Sequence, residues 1–159
     1  MKKIVASSAV ALAVLFALSG CITIQLPAGG DGSPVEQTIT CDATETITEP
    51  GTYQLDGRCP KVLVKANDVT IDSGDVVNLE ITGDRVSVRA LTTTTVVISG
   101  NSNSVDIDTL GDAQVTGDRN IVHSVGSLAR IVVNGNDNKF TVEGGIDAVF
   151  DNGERTVIG

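Results

Sequence analysis

"TGDRVSV" at residues 82–88, "SGNSNSV" at 99–105, "TGDRNIV" at 116–122 and "NGNDNKF" at 134–140 are one phrase written four times. Gly83, Gly100 and Gly117 fall 17 residues apart, and Gly135 follows after 18. A step of 17 back from Gly83 reaches Ala66, inside "VKANDVTI". The same step forward from Gly135 reaches Asn152, inside "FDNGERTV", so six copies cover residues 62–159. Self-similarity at a fixed short period marks a stacked repeat architecture.

The columns of this alignment say which residues face inward. Two places before the glycine stand Val64, Ile81, Ile98, Val115, Val133 and Phe150. Two places earlier stand Val62, Leu79, Val96, Ala113, Ile131 and Ala148, and five places after the glycine stand Ile71, Val88, Val105, Val122, Phe140 and Val157. Apolar residues alternate with period two and are largely β-branched, which is the pattern of a half-buried strand. A 17-residue unit cannot bury such a face alone. Stacked about 4.8 Å apart, the units pair their strands in parallel and share one core. The expectation is an all-β fold: a single-stranded parallel β-helix of about six 17-residue coils. Right-handed coiling is favoured because parallel crossovers take that hand; a three-sided left-handed coil is the alternative.

The repeated Gly83, Gly100, Gly117 and Gly135 read as turn positions, where each coil bends through a corner that tolerates positive φ. The next column, Asn67, Asp84, Asn101, Asp118, Asn136 and Gly153, consists of turn formers. Two places further on, Asn103, Asn120 and Asn138 fall in consecutive coils. Stacked amides can hydrogen-bond along the axis as a ladder, or line a binding strip. Val69 and Val86 in the same column favour an interior position.

Residues 38–61, "TITCDATETITEPGTYQLDGRCPK", read as an N-terminal cap or an imperfect first coil that covers an open edge. Cys41 and Cys59 are about one coil apart, close enough for a disulfide that staples this cap. Reactive thiols or metal ligands are the other reading. His123 is the sole histidine, so a zinc site lacks ligands and no metal is expected. At the far end "ERTVIG" falls in strand, and an uncovered coil edge there invites strand addition from a second copy or from a partner.

Before the repeats the chain is of another kind. Lys2 and Lys3 precede the apolar run "IVASSAVALAVLFA", a combination that reads as a secretory signal over residues 1–20. The run is too short for a comfortable membrane span. Its end, "LSGC" at 18–21, resembles the lipobox of bacterial lipoproteins. That resemblance implies cleavage before Cys21 and lipid on its sulfur, with acyl chains holding the protein on a membrane surface. Residues 21–37 then form a tether, since Pro27, Gly29, Gly30, Gly32 and Pro34 interrupt any periodic pattern.

Charge and composition exclude some partners. The chain carries a net charge of −9, and loss of Lys2 and Lys3 with the signal takes it to −11. Such a surface suits neither nucleic acid nor anionic head groups. Beyond residue 20 the aromatics are Tyr53, Phe140 and Phe150, too few for stacking platforms. For catalysis the best cluster is Asp106, Asp108 and Asp112 with Arg89 and His123, where Arg89, Asp106 and His123 fall in one column. A surface ladder of opposite charges explains that column without chemistry. Asp and Asn are frequent, yet the nine-residue calcium phrase of β-rolls is absent. "LTTTTVV" at 91–97 resembles the threonine faces of ice-binding β-helices, but Thr93 stands between Val76 and Leu110, so the array does not recur.

From "TITCD" through "DGRCP" and the recurring "G-[DN]-x-N-x-[VIF]" phrase, residues 38–159 resemble a domain of unknown function. That family is found in secreted and lipid-anchored proteins of actinobacteria, including mycobacteria. Ala66 and Asn152 depart from it at the glycine position, and Val69, Val86 and Arg155 at the asparagine position. The resemblance implies export and fold, with no activity to transfer. Together these readings predict a lipoprotein on the outer face of a bacterial cell membrane, a non-enzymatic binding or scaffold module without cofactor. It would meet an envelope protein, or itself, through the C-terminal coil edge. A module that binds cell-wall polysaccharide is the alternative.

Overall fold

The structure, a computed structural model, describes residues 36–159. The signal segment, Cys21 and nearly all of the tether lie outside the described residues. Within them the chain forms eleven strands and no helix. These are β1 (Glu36–Thr40), β2 (Thr44–Ile47), β3 (Gly51–Val64), β4 (Val69–Ile81), β5 (Ser87–Ile98), β6 (Ser104–Val115), β7 (Ile121–Ser124), β8 (Leu128–Val133), β9 (Lys139–Val142), β10 (Ile146–Asp151) and β11 (Val157–Ile158). All belong to one sheet, and every pairing is parallel. The chain is therefore the parallel β-solenoid that the repeat predicts, with about seven turns where six coils and a cap were expected.

Alternation along each strand builds the core. Val62, Leu79, Val96, Ala113 and Ile131 form one inward column, and Val64, Ile81, Ile98, Val115 and Val133 a second; all are buried. A third runs through Tyr53, Ile71, Val88, Val105, Val122 and Phe140. Each fully buried Val, Ile, Leu or Phe contributes about 1.5–3 kcal/mol. No single coil owns such a column, so burial is gained only by stacking.

β1 and β2 pair with β3 in parallel, so residues 36–47 are themselves coiled. Cys41 and Cys59 form a disulfide with a Cα–Cα distance of 4.8 Å, the spacing between adjacent coils. It begins an inward column that continues through Val76, Thr93, Leu110 and Leu128.

The final turn departs from the expected register. A constant step of 17 placed Ala148, Phe150 and Val157 inward. In the structure Val149 stacks on Ile131, Phe150 on Val132 and Ile158 on Phe140, a step of 18. Phe150 is 56% exposed and Val157 59% exposed, whereas Ile158 packs against the core. The cause is a one-residue expansion at the far corner of the last two coils. "SVGSL" at 124–128 sits under "VEGGI" at 142–146, each one residue longer than the corner of β5 or β6. A one-residue slip reverses every side chain in a strand.

Candidate functional site

The corner that follows β3, β4, β5, β6, β8 and β10 repeats one set of polar side chains from coil to coil. Gly83, Gly100, Gly117 and Gly135 lie there, but none has positive φ. The left-handed residues stand two places later: Asp68, Arg85, Ser102, Arg119, Asp137 and Arg155, with φ between 55° and 58°. The expected reason for the glycines is therefore corrected. A Cβ on any of the four would collide with the carbonyl of the same position one coil below. With the register of the last coil corrected, Gly153 continues the column above Gly135, in place of Asn152. The glycines permit close stacking; the Asp, Arg and Ser residues make the bend.

Two sets of side chains brace this corner in opposite directions. Asn103, Asn120 and Asn138 are buried, and their amides do not bond one another as the expected ladder required. Each Oδ1 accepts from a backbone N–H one coil below: Val86 at 2.8 Å, Asn103 at 2.9 Å and Asn120 at 2.8 Å. Asn120 Nδ2 donates to the Gly100 carbonyl and Asn138 Nδ2 to the Gly117 carbonyl. The outer column, expected only as turn formers, works upward. Oδ1 of Asn67, Asp84, Asn101, Asp118 and Asn136 accepts from the backbone N–H of Asp84, Asn101, Asp118, Asn136 and Glu154 in turn. Backbone donors that a bend takes out of the sheet thus keep partners, as buried amides require.

Outside these lies a charged column on the left-handed residues. Arg85 makes two bonds to the Asp68 carboxylate, both 2.7 Å, and Arg155 pairs likewise with Asp137. Each guanidinium holds its partner's carboxyl below the usual carboxylate range. Between these pairs Ser102 replaces the acid, and Arg119 Nε reaches only its hydroxyl, at 3.4 Å. The alternation is written in the sequence one place beyond the turn-forming column, at Asp68, Arg85, Arg119, Asp137 and Arg155.

The acid–base cluster is split by the structure. Asp72, Arg89, Asp106 and His123 stack in register. Asp106 meets His123 Nδ1 at 2.7 Å and Arg89 Nε at 3.9 Å, while His123 Nε2 lies 3.6 Å from Glu143. The hydrogen bond that His123 donates to the Asp106 carboxylate raises its pKa above the ordinary value, and the Glu143 carboxylate adds to the effect. Asp112 stands apart on another face, 3.4 Å from Arg130. Gln54, Asp72, Arg89, Asp106 and Asp108 border a shallow groove of about 470 Å³ that Gly74 leaves open. Among the described residues no three His, Cys, Asp or Glu side chains converge as a metal would require.

The last turn presents a different surface. Among the described residues β10 pairs only with β8 and β11 only with β9. Val149, Phe150 and Val157 are 45%, 56% and 59% exposed there.

Comparison with known proteins adds one finding. A family model described as a protein of unknown function (DUF3060) matches residues 98–155, from the end of β5 to the corner beyond β10. No curated protein and no solved structure matches the chain.

Proposed function

We propose that this chain is a lipid-anchored β-solenoid on the outer face of a bacterial envelope, of the secreted and lipid-anchored actinobacterial kind, and that it works as a non-enzymatic binding module. The anchor is Cys21, reached through "LSGC", and the rest of residues 21–37 ahead of β1 is the tether. The observation that carries the binding role is the last turn: a strand edge without a partner among the described residues, beside exposed Val149, Phe150 and Val157. An edge of this kind is a template for strand addition, and its apolar side chains supply the burial that makes addition favourable. The occupant is an envelope protein.

In-cell crosslinking of the full-length chain, followed by mass spectrometry, tests this. One dominant envelope protein joined within residues 140–159 is the expected result. Crosslinks confined to other faces, or none, would remove the last turn as the docking surface. The groove beside Arg89 favours a second reading, a site for an envelope polysaccharide running along the coils. Retention of the protein on deproteinised wall polysaccharide, lost on Arg89→Ala, would favour that reading instead.

A further inference from the structure

Both ends of the core carry a carboxylate where a continuing solenoid would need an apolar residue. At the first turn β2 pairs in register with β3, so Glu45 heads the column of Val62, Leu79, Val96, Ala113 and Ile131. It lies on the same strand face as buried Ile47. At the last turn Asp151 stands above Val133, ending the column of Val64, Ile81, Ile98 and Val115. Asp151 turns its Oδ1 onto the Gly153 N–H at 2.9 Å and the Thr156 hydroxyl at 3.3 Å, closing its own corner instead of facing a further coil.

A second copy stacked head to tail would lay β2 on β10. Its Glu45 would fall beyond Val149 and its Ile47 beyond Asp151. Two like charges in neighbouring columns would then be brought against one apolar core. Burying unpaired carboxylates is prohibitive, and inward charges are a known means of blunting sheet edges. The contact would also be heterologous and would not close, so without a block it would propagate as a filament.

We propose that Glu45 and Asp151 are end-blocking residues that keep a second copy of this chain from extending the solenoid. The block stands on the core columns alone. Its consequence, that the last turn is left for a partner other than itself, rests on the proposed function.

Sedimentation of the full-length chain in detergent, against protein concentration, is the test. The wild type is expected to sediment as a single chain. Glu45→Val with Asp151→Val should raise the weight-average mass at least about twofold and yield filaments by electron microscopy. Glu45→Lys is the second variant, placed on a side chain that is already partly exposed. It offers Asp151 of the next copy a cation, so it should assemble at low salt and disperse at high salt. A wild type that stacks end to end overturns the proposal. So does a circular-dichroism-intact pair of variants that both stay single chains. A failed crosslinking search would sink the docking reading and leave this block standing.

Discussion

Asn120 shows how much one side chain does at the corner. It is fully buried, takes the Asn103 N–H and gives to the Gly100 carbonyl. Asn120→Ala leaves both groups without partners, at about 1–3 kcal/mol for each buried group. A loss of that order in urea denaturation is expected. Asn120→Asp keeps the acceptor but forfeits the donor and buries a charge, so it should be less destabilised at pH 4 than at pH 7. The glycines offer a matched contrast. Gly117→Ala drives a methyl into the Gly100 carbonyl and should cost about 1–3 kcal/mol. Gly74→Ala meets nothing within 4 Å and has no positive φ, so it should be neutral or stabilise by about 0.4–1 kcal/mol. Equal losses at the two positions would mean that close stacking is not why the corner needs glycine.

Between elements, two links can be broken separately. The Cys41–Cys59 bond joins the first coil to the second, and closing a loop of this length stabilises by about 3 kcal/mol in the chain-entropy model. Reduction should therefore lower the melting temperature; an unchanged curve would show that the first coil unfolds apart from the rest. His123 links β6 to the corner after β9 through Asp106 and Glu143. Its pKa is raised in the folded chain, so this contribution is complete below the unfolded value of about 6.5 and fades as pH rises through the folded value. The gap in melting temperature between wild type and His123→Gln should accordingly be wider at pH 5.5 than at pH 8.5. Ser102→Asp belongs to the same scale. It restores the acid between Arg85 and Arg119 and should raise the melting temperature at low salt, an effect that high salt removes.

For the whole molecule, the proposed anchor at Cys21 and the solenoid can be tested apart. Cys21→Ser should move the protein from the membrane fraction to the soluble fraction, leaving its circular dichroism unchanged. Solubility of the wild type in the absence of detergent would sink the lipid anchor. The solenoid itself was legible because stacked coils impose their period on the chain: each inward column must be apolar and each glycine must recur. Where coils change length the same rule misleads, as Phe150 and Val157 show, because a corner can absorb one residue without disturbing the strands around it.

Residue type and spacing were sufficient for the parallel solenoid, the core columns of β3 to β8, the proximity of Cys41 to Cys59 and the stacking of Arg89, Asp106 and His123. These are one-dimensional properties, since neighbours in space are neighbours one period away. Tertiary structure alone decided which corner residue takes positive φ and that the asparagines bond backbone instead of one another. It also set Asp151 in register with Val133 and turned Phe150 outward. Those outcomes depend on the distance and direction of a carbonyl one coil away, and no column of letters carries either.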